Sequence, residues 1–212
     1  MMVLRLNPLY YKIVRFSQPN FRSKKYHNLR CEIFDSKIWA WKDLKEVQLP
    51  YHVLLSHQPA VLASGTVHWL TTHNHIFSFN MNQEIWSMFA LPEPLKENDH
   101  YKKLVEFEGR LALTCMGREE RVELWVMKDY GNQVWNKTKT LSIEAFINDN
   151  RYTSLAAFYN SDIALMKGYD EVMFCKFQNC SPIAVKLEKH TDPGEVFAFR
   201  SDLEPSCLMG RN

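Results

Sequence analysis

Apolar and polar residues alternate along this chain in short runs. In "RLALTC" (110–115) Leu111, Leu113 and Cys115 share one face, and in "VELWV" (122–126) Val122, Leu124 and Val126 oppose Glu123 and Trp125. "HIFSFNM" (75–81) places Phe77, Phe79 and Met81 on one side. A period of two over four to eight residues is the mark of a strand. Turn-forming residues separate the runs, at 73–74, 80–84, 129–132 and 160–161. Helical periodicity is convincing nowhere, although "SIEAFIN" (142–148) could form one or two turns. The pattern predicts an all-β chain.

The runs also repeat. "GTVHWL" (65–70) leads into "HIFSFNMNQEIWSMFALP", and "GRLALTC" (109–115) leads into "VELWVMKDYGNQVWNKTKTL" in the same order. Gly65 and Gly109 stand 44 residues apart; Phe34, Phe79 and Trp125 are separated by 45 and 46, and Trp41, Trp86 and Trp135 by 45 and 49. A fainter copy starts at "SLAAFYNSDIALMKG" (154–168), and "YKIVRF" with "CEIFDSKIWAWKDL" opens the chain as a partial one. About four units of 40 to 50 residues, each with about four short strands, predict a β-propeller-like, kelch-like array, complete or partial, formed as one domain over residues 1–212. In such an array Gly65 and Gly109 are expected where a bulge or a close backbone approach excludes a Cβ. Trp41, Trp86 and Trp135 are expected to fill the gaps between neighbouring sheets, and His68, on a strand beside Trp69, reads as a structural residue.

Composition narrows the function. The chain has 212 residues, 46% hydrophobic and 24% charged, with a formal net charge of +2, which gives no footing for nucleic-acid binding. Arg22, Lys24, Lys25 and Arg30 read as a solvated loop. The start has no apolar core of signal-peptide length, and no run approaches ~18 apolar residues, so an intracellular protein, cytoplasmic or nuclear and without a membrane partner, is expected. Five cysteines, at 31, 115, 175, 180 and 207, form no CxxC pair and are expected as reduced thiols. His68, His73 and His75 fall within eight residues, with His52 and His57 upstream. A zinc site needs three or four ligands converging tetrahedrally, however, and the repeat places His73 and His75 at a strand connection facing water, so no metal site is expected there. Glu119 and Glu120 are adjacent on a hairpin tip and point to opposite faces, so they are not a matched acid and base. No phosphate loop or nucleophile elbow occurs. No catalytic residue, metal or cofactor is therefore expected.

Taken in order, "YYKIVRF", "CEIFDSKIWAWKDL", "ASGTVHWL", "IFSFNMNQEIWSMFALP", "FEGRLALTC", "VELWVMKDYGNQVWNK" and "EVFAFRSDLEPS" resemble the F-box associated domain of plant F-box proteins, a kelch-like propeller module. The resemblance runs from about Tyr10 to Ser206. Asn80 departs from it where aspartate commonly follows the phenylalanine, as does Val134 where serine is frequent. The F-box itself, a helical segment that docks on the adaptor of a cullin-RING ubiquitin ligase, is absent before the first strand, so the chain resembles a truncated family member. The resemblance implies a substrate-recognition module without chemistry of its own, whose partners are target proteins for ubiquitination, with the ligase adaptor engaged only through an F-box supplied elsewhere. The loops read as most exposed are 17–30, 92–103, 129–133 and 148–152, and loops on a scaffold carry recognition. Phe21, Arg22, Tyr101, Tyr130 and Tyr152 are the candidate anchors there, aromatic and arginine residues being enriched at binding hot spots. Two rival readings are a stand-alone interaction module that competes for the same targets, and a propeller that binds glycans or acts as an enzyme.

Overall fold

The computed structural model describes residues 2–5, 9–17, 26–96, 101–116, 121–142, 154–158, 163–168, 171–176 and 182–186. The chain is nearly all β and divides into two compact units, residues 1–144 and 145–212. The first unit holds three antiparallel sheets. Sheet one joins β1 (Met2–Arg5), β2 (Tyr10–Ser17), β3 (Tyr26–Asp35) and β4 (Ala40–Asp43) in order, with β5 (Val47–Pro50) also paired to β3. Sheet two is the meander β6 (Val61–Ala63), β7 (Thr66–Leu70), β8 (His75–Asn80), β9 (Ile85–Ala90), and sheet three is β10 (Tyr101–Phe107), β11 (Arg110–Met116), β12 (Arg121–Asp129), β13 (Val134–Ser142). Among the described residues the second unit holds one sheet, β14 (Ser154–Phe158), β15 (Ile163–Lys167), β16 (Glu171–Lys176) and β17 (Pro182–Lys186).

The opening copy is thus a full sheet and not a partial one. Its missing strand is β1, where Met2 pairs with Lys12 and Val3 with Tyr11; four residues are too few to show a period. Residues 26–30 and 101–103, expected in loops, are strand. Arg30 accordingly lies on β3, where its guanidinium meets Asp43 at 2.7 Å.

Turn chemistry repeats from sheet to sheet. Ser64-Gly65 and Glu108-Gly109 are two-residue hairpin connections, and all four residues have positive φ, between 50° and 78°. This is the type I′ geometry that matches strand twist. The glycines therefore supply handedness, not room: a Cβ on Gly109 would meet nothing within 4 Å, and one on Gly65 would come no closer than 3.7 Å to Asn82. Four-residue turns link β3 to β4, β8 to β9 and β12 to β13. Each is preceded by an Asx residue whose carboxylate or amide oxygen accepts backbone N–H groups of the turn: Asp35 from Lys37, Asn80 from Asn82 and Gln83, Asp129 from Gly131 and Asn132. Each ends on a residue with positive φ: Trp39, Glu84 and Gln133.

Two dry seams hold the first unit together. Leu29, Cys31, Ile33, Val47 and Leu49 of sheet one meet Val67, Phe77 and Phe79 of sheet two and Met81 just beyond β8. Phe16 enters this seam edge-on, 5.3 Å from the rings of Trp69 and Phe77 and 6.0 Å from Phe79. Ala63, Leu70, Ile76, Leu91 and Leu95 meet Leu104, Leu111, Leu113, Cys115, Met127 and Trp135. The expected indole plugs are corrected here: Trp135 is 8% exposed, but Trp86 is 37% and Trp41 45% exposed. All three sit on the outermost strand of their sheet, but only Trp135 is covered there, as part of the second seam; the first seam is filled without an indole from that strand. A polar clamp ties the first seam. Lys12 Nζ, buried, bonds Glu84 Oε1 at 2.8 Å and the Met81 carbonyl at 3.3 Å, while Lys42 Nζ meets Glu84 Oε2 at 2.7 Å. Burial pulls the Lys12 pKa down, but the hydrogen bond and charge of Glu84 outweigh it and leave it raised. Glu84 is held below its ordinary value chiefly by those two ammonium partners.

Two outcomes follow for stability. Gly109→Ala should lower it by about 1 kcal/mol and Gly109→Asn by less, since the penalty is conformational and Asn tolerates positive φ; urea midpoints at unchanged m-value check this. Glu84→Gln should cost about 2 kcal/mol at neutral pH by leaving a buried ammonium without its carboxylate. Because the Glu84 pKa is lowered by folding, its contribution is fully present above about pH 4.5 and is lost as pH falls through the folded value, so the difference between wild type and Glu84→Gln should vanish in strong acid.

Candidate interaction surface

Of the five anchors chosen from sequence, Phe21, Arg22 and Tyr152 lie outside the described residues. Tyr101 and Tyr130 are both exposed, but at opposite ends of sheet three. Tyr101 starts β10, opposite Met116, while Tyr130 follows β12 at the end where Phe107 turns back into Arg110. Six residues of strand, roughly 20 Å, separate those ends, so the two tyrosines form no common face. Tyr130 is also committed to the fold, because its hydroxyl accepts the Leu111 N–H at 3.0 Å and its ring stacks 5.9 Å from that of His68.

His68 is buried between sheets two and three, with Nδ1 2.7 Å from Ser78 Oγ and Nε2 lacking a well-formed hydrogen bond. Burial pushes its pKa down to about 4, opposed in part by the Ala63 carbonyl. The ring is therefore neutral at physiological pH and packed. Near it in sequence, His52 and His73 touch edge-to-face at 4.8 Å, but His73 Nδ1 is engaged by Thr72 Oγ1 and His75 Nδ1 by the His73 carbonyl. Among the described residues no three His, Cys, Asp or Glu side chains are grouped to hold a metal. Cys31 and Cys115 are buried free thiols, and Cys175 is buried as well. Burial raises Cys31 to about 11 and Cys115 to about 12, which keeps both protonated and unreactive.

An aromatic group on the outer face of sheet one is a surface that the sequence pattern does not single out. Phe34 lies at its centre, with Trp39 edge-on at 5.3 Å, Trp41 at 5.5 Å and Tyr11 at 6.0 Å. The Arg15 guanidinium stands 4.6 Å over the Trp41 ring. Trp39 is 71% and Ile38 65% exposed. The available signal is the pair of large apolar residues in a four-residue turn, a place where polar residues are the rule.

Four-stranded antiparallel sheets in succession, with faces buried sheet against sheet in the first unit, define a kelch-like, propeller-like array. The chain belongs to the F-box associated beta propeller domain family, whose model matches residues 9–187. It is 26% identical over 155 residues to the F-box protein CPR1 of Arabidopsis thaliana, covering 62% of this chain and 37% of that protein. It is 22% identical over 137 residues to an F-box/kelch-repeat protein of the same plant, covering 63% and 36%. The chain thus spans little more than a third of these relatives. Among solved structures it is similar to HIRA(644-1017), with a TM-score of 0.41 and 13% identity over 86% of this chain and 57% of that one. It is also similar to the WD40 domain of SCAP from fission yeast, with a TM-score of 0.34 and 10% identity over 84% and 32%.

The depressed His68 pKa sets a pH dependence. Folding excludes a proton from the ring, so the stability this supplies is complete above about pH 6.5 and declines as pH falls toward 4, by on the order of 3 kcal/mol. Urea unfolding between pH 7.5 and 4.5 should show this slope in wild type, and a non-titrating His68→Asn variant should lack it.

Proposed function

We propose that this chain is the target-recognition part of a ubiquitin-ligase receptor: it binds a protein and performs no chemistry itself. The observation that carries the reading is the family match across residues 9–187. The curated relatives are F-box proteins by name, and the packed imidazole and protonated thiols of this chain are consistent with a scaffold. In this reading a target protein docks on exposed turns and strand faces of the array, in the cytoplasm or nucleus. An F-box belonging to the same receptor reaches the adaptor, and other subunits transfer ubiquitin.

The test separates binding from coupling. The chain is expressed with a proximity label, alone and fused behind an F-box, and the half-lives of labelled neighbours are followed by pulse-chase. Both forms should label the same proteins, and the fusion alone should shorten the life of at least one of them in a proteasome-dependent way. A fusion that retains the adaptor yet changes no neighbour's turnover would overturn the receptor reading.

A further inference from the structure

Sheet one departs from the internal repeat at two places, both on its outer face. Along that face Ile13, Phe34 and Trp41 form a cross-strand row, the counterpart of Val67, Phe79 and Trp86 in sheet two. The next row in sheet two is Trp69, Phe77 and Met88, packed into the first seam. In sheet three it contains Leu113 and Trp125, packed into the second. In sheet one the same row is Arg15, Glu32 and Asp43. Arg15 bonds Glu32 at 2.6 Å, and Arg30 reaches Glu32 at 3.2 Å and Asp43 at 2.7 Å. A further sheet stacked here as sheets one to three stack on each other would have to desolvate this ion row, which its internal pairing does not fully offset. The face is thus not built as another dry seam.

The second departure is the turn after β3. Its last two residues are Ile38-Trp39, where the equivalent turns have Gln83-Glu84 and Asn132-Gln133. Trp39 is held at φ +54°, a conformation uncommon for a bulky residue. Trp39, Trp41 and Ile38 together leave on the order of 400 Å² of apolar side chain in water, the size of patch that on a monomer is often functional. An aromatic centre bordered by charges, rich in Trp and Arg, has the anatomy of a protein-binding site with a hot spot.

We propose that this face docks a segment of a partner protein that presents an apolar anchor beside a carboxylate. The acidic character follows from the rim. Glu32 is buried beneath two guanidinium groups, and Asp35 is engaged by the Tyr10 hydroxyl and the Lys37 N–H. Formal charges on the rim balance, Arg15, Arg30 and Lys37 against Glu32, Asp35 and Asp43, but Glu32 is buried while the Arg15 and Arg30 side chains are half exposed. A guanidinium carries five N–H donors, more than one carboxylate absorbs, so the hydrogen-bonding capacity left facing water is mostly donor. The indole of Trp39 takes the anchor. The assignment rests on the chain being a protein-binding module, but not on its coupling to ubiquitin transfer.

The experiment selects a phage-displayed random peptide library on the full chain and counter-selects it on Trp39→Asn. Asn tolerates positive φ, so the variant should melt no lower than wild type. Peptides that depend on Trp39 should carry Asp or Glu beside an apolar residue. As synthetic peptides they should bind wild type about tenfold tighter than Trp39→Asn, with Arg15→Gln intermediate and the affinity falling as salt is raised. Peptides that bind both proteins equally would move the site elsewhere and overturn this face, leaving the protein-binding reading intact. Trp39-dependent peptides that are basic or uncharged would overturn the acidic partner. Sedimentation showing a dimer abolished by Trp39→Asn would give the face to a second copy and overturn it as well. No specific peptide on either protein would count against both the face and the binding-module reading.

Discussion

Phe16 entering edge-on among Trp69, Phe77 and Phe79 is where the architecture of the first unit is decided. Backbone hydrogen bonds hold strands together within a sheet, but they do little to hold one sheet face against another. That role falls to apolar burial, at roughly 1.5 to 3 kcal/mol for each fully buried large side chain. With Ile33, Leu49, Phe77, Phe79 and Met81 all essentially inaccessible in one seam, the summed burial term exceeds the about 2 kcal/mol that the partly buried Lys12–Glu84–Lys42 clamp supplies. The Lys12–Glu84–Lys42 clamp therefore selects how the sheets register more than it holds them together. Ser64 plays the same part at the second seam, where its N–H and hydroxyl both reach the Gly109 carbonyl and tie one type I′ turn to the next.

The strands were legible because a half-buried strand must alternate. Leu111, Leu113 and Cys115 share a face in the sequence, and all three line the second seam. The period was legible because the first three units reuse one turn: an Asx residue stands six positions before the tryptophan at Asp35 and Trp41, Asn80 and Trp86, Asp129 and Trp135. Asn80 serves as well as aspartate there because an amide oxygen accepts the same two N–H groups. The environment of each tryptophan was not legible. It depends on which sheet lies opposite and how far it reaches, and neither is written into the residues near the tryptophan. The glycines misled for a related reason, since crowding and positive φ both favour Gly in a sequence and coordinates are needed to tell them apart.

Candidate anchors were legible as residue types and not as places. Tyr130 has the composition of a recognition residue, yet its hydroxyl is committed to the Leu111 backbone and its ring to His68. Tyr101 is exposed, but on the far end of the sheet. Choosing loops as the sites of recognition presupposes that strand faces are spent on packing. In sheet one that premise fails, because only one face of the sheet is committed to a seam among the described residues.

This asymmetry shows how far a repeat can be trusted. Equivalent positions share backbone: Trp39, Glu84 and Gln133 close the same turn with φ between 54° and 57°. They do not share energetics. Glu84 uses its place to complete a clamp across the first seam, while Trp39 occupies the same left-handed conformation with most of its side chain in water and one edge against Phe34. A position that tolerates strain for so little internal contact has little in the fold to account for its residue. Strain alone would be a weak argument, since it marks sites only when something else points the same way. Here the neighbouring row changes from apolar to ionic on the same face. Either change alone could be a neutral drift of one unit. Together they make one side of a sheet unfit for stacking and fit for contact with something wetter than another blade.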